Sequence, residues 1–138
     1  MVGALVLVGT LVLATVAGLV LKARNGRVRS RETVVSGLPE DVRALVRPGG
    51  VTLVQLSTTF CAPCRHARVL LSDLAARTEG LHHAELDLTE RPDLARELSV
   101  LRTPTTLAVD ERGTELLRVG GVPRRDQLLS ALQPHLSH

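Results

Sequence analysis

The first 21 residues constrain this chain most, because none of them carries a charged side chain. About 20 apolar residues at 1.5 Å rise each can cross the hydrocarbon core of a bilayer. A secretory signal peptide would instead bring a basic leading segment and a shorter apolar run, although Thr15-Val16-Ala17 resembles a cleavage site. We therefore predict an uncleaved transmembrane anchor over residues 1–21.

The segment that follows the apolar run is strongly basic. Its charged residues up to position 31 are Lys22, Arg24, Arg27, Arg29 and Arg31, with no acidic residue among them. Because positive side chains next to a span stay cytoplasmic, we expect a single-pass protein whose main domain is cytoplasmic, with the extracytoplasmic side as the alternative. We assign residues 22–36 to a basic juxtamembrane tether that contacts anionic lipid head groups.

The overall net charge of +3 does not indicate nucleic-acid binding. Residues 1–31 contain five of the 17 basic side chains and none of the 14 acidic ones, so the remainder has 12 basic against 14 acidic. The chain also has a single aromatic residue, Phe60. A basic surface interleaved with aromatic side chains is therefore not expected, and nucleic acid is excluded as a partner.

Residues 37–138 alternate between β-branched runs and segments with apolar residues every three or four positions. The predicted elements are a helix at 39–46, a strand at 51–57, a helix from 62 to about 78, a strand at 82–88, a helix at 91–100, two strands joined by a turn at 110–113, and a helix opened by Pro123. This order predicts an α/β domain in which a mixed sheet lies between two helical layers.

Both cysteines of the chain lie in the stretch "FCAPC", directly after the predicted strand at 51–57. Cys61 would lie at the start of a helix, where unpaired N–H groups and the helix dipole favour its thiolate. Cys64, three residues later, lies on the same helical face. Pro63 has no backbone N–H, but the first turn of a helix needs no donor at that position, and the proline ring stiffens the loop. This arrangement favours reversible dithiol chemistry.

A metal site is the main alternative for these cysteines. Its candidate ligands would be Cys61, Cys64, His66, His82 and His83. Structural zinc usually takes four ligands supplied as two spaced pairs, and the chain has no second Cys-x-x-Cys. A purely structural disulfide would close too small a ring to constrain much of the chain. We predict no metal and no other cofactor.

Several features in the same order resemble the thioredoxin family over about residues 38–136: "VTLVQLSTTFCAPC", then "RTPTTLAVDERG", then "LLRVGGV" before a final helix. The resemblance implies a thioredoxin-like fold with a cis peptide bond before Pro104. It also implies a groove in which the Thr103 backbone pairs with a substrate strand. The implied groove residues are Phe60, Ala62, Pro63, Thr103, Pro104 and Gly120, the last with Gly121 beside it.

The resemblance further implies thiol–disulfide exchange with protein partners. Cys61 would attack a disulfide and Cys64 would release the product. Ala62-Pro63 is similar to the Gly-Pro of reducing thioredoxins. This favours a reductant or electron carrier that receives its electrons from an upstream partner. Two alternatives stay open: an extracytoplasmic thiol protein for cytochrome or envelope protein maturation, and a non-catalytic binding module.

Two positions depart from the family pattern. Phe60 stands where the family usually has Trp, and Gln55 stands where it has a buried acid thought to carry the proton of the second cysteine. An amide cannot exchange a proton in that way. We hypothesise that Glu85, on the neighbouring strand, acts through water instead. The alternative for Glu85 is a solvated residue near a strand end.

Overall fold

A computed structural model describes residues 1–30 and 37–136. Its first element is a helix, α1 (Val2–Arg24), whose residues are all exposed. Within the described residues, α1 is the one helix that is long and apolar enough to cross a membrane. A signal sequence would pass the same test of length and composition, so α1 is a candidate span.

The remaining elements follow the order that the sequence predicts, with one added strand near residue 30. In chain order they are β1 (Val28–Ser30), α2 (Glu40–Arg43), β2 (Val51–Ser57), α3 (Ala62–Arg77), β3 (Leu81–Asp87), α4 (Pro92–Glu97), β4 (Thr105–Asp110), β5 (Glu115–Gly120) and α5 (Arg125–Leu136).

The five strands form one mixed sheet in the order β1-β5-β4-β2-β3. β2 is parallel to β3, and the other neighbouring pairs are antiparallel. Every residue of β2 is buried, as its nearly continuous apolar sequence predicts for a central strand covered on both faces.

Each face of the sheet carries its own apolar core. Leu53 of β2 packs with Leu71 of α3 and Leu128 of α5. On the opposite face, Val54 packs with residues of α2 and α4. The side chains alternate between the faces because successive residues of a strand point in opposite directions. The predicted three-layer α/β/α arrangement is confirmed.

Some element ends differ from the prediction by a few residues. α2 is shorter because Pro39 has an extended backbone and takes the N-cap position, while Leu45 and Val46 continue only as hydrogen-bonded turns. α4 ends at Glu97, since Ser99 lies in the left-handed region with φ 55°. β3 begins one residue earlier than expected.

β1 lies within the range that the sequence assigns to the juxtamembrane tether. Val28 is opposite Val119 and Ser30 is opposite Leu117 in an antiparallel pairing with β5. Just before β1, the Gly26 N–H donates a hydrogen bond to the Gly120 carbonyl at 2.9 Å. A strand of three residues is too short to produce a recognisable periodicity, so the sequence does not reveal it. Positions 31–36 of the predicted tether lie outside the described residues.

Candidate active site

The two cysteines lie where β2 ends and α3 begins. Cys61 has an extended backbone and is the N-cap of α3, and the Cys64 N–H donates to its Sγ at 3.2 Å. The two sulfur atoms form a disulfide with an S–S distance of 2.05 Å. Pro63 occupies the first turn of α3, where no donor is required.

The two cysteines differ in their access to solvent. Cys64 is buried, with 1% of its surface exposed, whereas Cys61 is partly exposed. Ala62 and Pro63 between them are exposed, and Phe60 is 98% exposed. A partner can therefore approach Cys61 across an apolar surface, while Cys64 is reached only from within the protein.

The loop before β4 lies next to the loop that carries the cysteines. The peptide bond between Thr103 and Pro104 is cis, as the resemblance implies. The hydroxyls of Thr58 and Thr103 are 3.3 Å apart, which joins the end of β2 to this loop. The Gly121 N–H donates to the Pro104 carbonyl at 2.8 Å, so the turn after β5 lies at the same end of the sheet as this loop.

The predicted groove residues thus meet at one end of the central strands: Phe60 in the loop after β2, Ala62 and Pro63 in the first turn of α3, Thr103 and Pro104 in the loop before β4, and Gly120 at the end of β5. Pro104 is buried, Thr103 and Gly120 are partly buried, and Phe60 stands in solvent. Their role in holding a substrate strand stays a prediction.

Gln55 connects the centre of the sheet to the second cysteine. This residue is fully buried, and its Nε2 donates to the Cys64 carbonyl at 2.8 Å. A carbonyl can only accept, so the amide nitrogen must face Cys64 and the amide oxygen faces the other way. There, Gln55 Oε1 lies 3.1 Å from His83 Nε2, which therefore carries the hydrogen in this contact.

His83 is the member of this network that the sequence reasoning missed. The sequence analysis names it only as a candidate metal ligand. The alternation of β3 offers a signal, because His83 and Glu85 are two residues apart and share one face. Partial burial lowers the pKa of His83 below its ordinary value, with the nearby charges of Glu85 and Arg68 acting in opposite directions.

Glu85 lies directly opposite Gln55 in the pairing of β2 with β3. Two atoms of the Arg68 guanidinium contact its carboxylate, at 2.5 and 2.7 Å, and the Ser57 hydroxyl donates to it at 3.0 Å. The hydrogen bond from Arg68 is the main reason that the pKa of Glu85 is lowered, with burial opposing it. At neutral pH Glu85 is therefore an ionised carboxylate, and the same lowered pKa makes it a weaker proton acceptor than an ordinary glutamate.

The described residues, 1–30 and 37–136, contain no group of three or more His, Cys, Asp and Glu side chains that could hold a metal ion. His66, which follows the motif, is exposed on α3.

Comparison with known proteins agrees with this geometry. The thioredoxin family model matches residues 38–134. A thioredoxin from Staphylococcus aureus is 35% identical over 88 residues, which cover 63% of this chain and 84% of that protein.

Two solved thioredoxin structures share the fold. One, from Nicotiana alata, has a TM-score of 0.54 and 26% identity, covering 63% of this chain and 74% of that one. A variant thioredoxin from Halobacterium salinarum has a TM-score of 0.61 and covers 70% of this chain and 84% of that one. At 22% identity, the second likeness concerns the fold alone.

A partly exposed N-cap cysteine paired with a buried one, at the end of a central strand, defines the class of thiol–disulfide oxidoreductases. Within that class, the chain belongs to the thioredoxin family.

Proposed function

We propose that this protein is a membrane-tethered reductant, or electron carrier, for protein disulfides. The observation that supports the disulfide exchange most directly is the unequal exposure of the two cysteines, with Cys61 open to partners and Cys64 buried behind it. Ala62-Pro63, similar to the Gly-Pro of reducing thioredoxins, favours donation of electrons over oxidation.

The reaction transfers two electrons to the substrate. The Cys61 thiolate attacks one sulfur of the partner's disulfide, forming a mixed disulfide and releasing the other sulfur as a thiolate that takes up a proton. Cys64 then loses its proton and attacks Cys61, so that the partner leaves as a dithiol and the Cys61–Cys64 disulfide remains. An upstream dithiol must reduce that disulfide before the next cycle.

The tether rests on α1 and its basic flank. All residues of α1 are exposed in the structure, and an apolar helix of this size is stable in a lipid environment rather than in water. The positive residues after the apolar run favour the cytoplasmic side for the domain, since positive flanks of a span stay in the cytoplasm. Contact with anionic head groups would add about 1 kcal/mol for each basic side chain near the surface.

A redox titration tests this proposal. The full chain, in lipid nanodiscs, is equilibrated with glutathione and dithiothreitol buffers, the thiols are alkylated, and the masses are measured. We expect a reduction potential near the thioredoxin value of about −270 mV. A value near about −120 mV, typical of oxidants, or cysteines that never exchange, would contradict a reductant.

A reporter fused after His138 tests the side of the membrane independently. We expect activity of a reporter that works only in the cytoplasm. Activity of an export-dependent reporter would instead favour the extracytoplasmic alternative.

A further inference from the structure

The segment between α1 and β1 is packed against the turn that follows β5. A Cβ atom added to Gly121 would lie 1.9 Å from Asn25 Oδ1, and one added to Gly26 would lie 2.6 Å from the Val122 carbonyl oxygen. Both glycines have positive φ values, of 83° and 77°. Together with the hydrogen bond from Gly26 to Gly120, this close contact fixes the juxtamembrane segment to the domain.

The attachment lies beside the candidate substrate groove. Gly120 accepts a hydrogen bond from Gly26, and the next residue, Gly121, donates to the Pro104 carbonyl. The Arg102 guanidinium also lies near Gly120, with Nη2 3.4 Å from its carbonyl oxygen. Two backbone hydrogen bonds, through Gly120 and Gly121, therefore connect the residues that follow α1 to the loop that carries Pro104.

Basic and apolar side chains lie together at this junction. A cavity of about 330 Å³ is lined by residues that include Arg24, Arg27, Leu101 and Arg102. The Arg118 guanidinium, which also lines it, is paired with Glu115. Leu101 is 98% exposed, as is Phe60 beside the cysteines. Guanidinium groups suit lipid phosphates, and single exposed apolar side chains suit the boundary between head groups and acyl chains.

The length of chain between the apolar run and this attachment is short. Residues 22–24 continue α1 as a helix and extend about 5 Å beyond residue 21 at 1.5 Å per residue. A flexible tether over all of 22–36 would instead span about 20 Å on average and would allow any orientation. The attachment therefore restricts both the height of the groove and the direction in which it faces.

We propose that the groove faces the bilayer surface and that the substrates are disulfides of membrane proteins close to the lipid head groups. This proposal rests on the proposed function and deepens it by naming the substrate class. The electron transfer is unchanged: the reduced Cys61–Cys64 pair is oxidised and the membrane protein's disulfide is reduced to two thiols.

A single-turnover assay with probes at defined heights tests this proposal. The reduced full chain, freed of excess reductant, is reconstituted in vesicles of zwitterionic and anionic phospholipid. One disulfide-bridged peptide is presented in three forms: free in solution, attached to a lipid through a short spacer, or attached through a long spacer. Acid quenching and mass measurement give the rates. We expect the short-spacer probe to react several-fold faster than the long-spacer probe.

Two insertions of the same ten-residue Gly-Ser segment provide the matched comparison. Insertion between Arg24 and Asn25 lifts the domain with its attached segment, so the preference for the short spacer should disappear. Insertion between Thr33 and Val34 lies beyond β1 and should keep the preference. Equal effects of the two insertions would overturn the proposal, because they would show that residues 25–30 act as a free tether.

The free peptide separates the two levels of the argument. If the unaltered protein does not reduce the free peptide, the proposed function itself is contradicted. Equal rates on the short and long spacers, with normal activity on the free peptide, would overturn only the orientation at the membrane. The free-peptide rate also shows whether each insertion variant is folded.

Discussion

The side-chain amide of Gln55 donates a hydrogen bond to the backbone carbonyl of Cys64 at 2.8 Å, in the interior of the domain. The same side chain accepts from His83 at 3.1 Å, so one buried amide satisfies groups on both α3 and β3. Where the family has an acid, this chain therefore has a residue that fixes the first turn of α3 and carries no charge.

Replacing Gln55 with Leu should destabilise the domain by about 2–3 kcal/mol, because the Cys64 carbonyl and His83 Nε2 would both lose a buried partner. Thermal and denaturant unfolding of the full chain in detergent, followed by circular dichroism, measures this. The matched control is Gln127→Leu on the exposed side of α5, which should change stability by less than about 0.5 kcal/mol. Similar effects of both changes would contradict the role given to Gln55.

Cys61 should react with iodoacetamide at least about tenfold faster than Cys64 in the reduced protein. Cys61 is partly exposed and lies at the N-terminus of α3, where the thiolate is favoured, whereas Cys64 is buried. Mass spectrometry of peptides after brief alkylation gives the two rates. A faster reaction at Cys64 would reverse the assignment of attacking and resolving cysteine.

If Glu85 accepts the proton of Cys64 through water, Glu85→Gln should slow the resolving step several-fold near neutral pH. The Cys61 attack and the amount of mixed disulfide formed at early times should stay the same. Rapid-quench measurement with a disulfide peptide separates the two steps. Glu79→Gln, at an exposed position after α3, is the control. An unchanged resolving rate in Glu85→Gln would end the hypothesis and leave Glu85 as the partner of Arg68.

The stability of the domain should fall as the pH decreases below about 6.5, in part because of His83. Burial lowers the pKa of His83 in the folded protein below its ordinary value of 6.5, so the unfolded chain binds more protons in this range. The contribution is complete above pH 6.5 and is lost as the pH falls through the folded pKa. His83→Gln keeps a donor for Gln55. In this variant the unfolding midpoint should change less between pH 7 and pH 5 than in the unaltered protein. An identical pH dependence in the variant would contradict this assignment.

Gly50→Ala should be far more destabilising than Gly49→Ala, although the two glycines are adjacent and both have positive φ values. A Cβ atom at Gly50 would lie 1.8 Å from the Gly80 carbonyl oxygen, whereas one at Gly49 would meet nothing within 4 Å. We expect a cost of about 1 kcal/mol at Gly49 from backbone strain alone, and at least twice that at Gly50. Unfolding midpoints of the two variants provide the comparison, and equal losses would contradict it.

The parts of this structure that the sequence could predict depend on local patterns. The sequence shows an apolar strand, then the cysteine pair, then an amphipathic helix, without interruption. It therefore predicts β2, the Cys61 N-cap and α3 directly. Pro63 adds a local signal for the first turn of the helix. These features require no knowledge of what lies across the sheet.

The parts that could not be predicted depend on contacts between distant segments. The register of β2 with β3 places Glu85 opposite Gln55, and His83, two residues earlier on the same face, contacts Gln55 diagonally; no local pattern states this. The ion pair between Arg68 and Glu85 joins a helix to a strand in the same way. β1 forms only because β5 offers an unpaired side, so its three residues have no signature of their own.

That pairing of Val28 and Ser30 with β5 has a practical consequence for any shortened version of the protein. A chain cut after Arg31 to remove the apolar helix would also remove β1, and it would leave the backbone N–H and C=O groups along β5 open to solvent. Such an exposed strand edge invites self-association between copies. A version that begins at Asn25 would keep the edge covered, and we expect it to stay monomeric under conditions in which the shorter one aggregates.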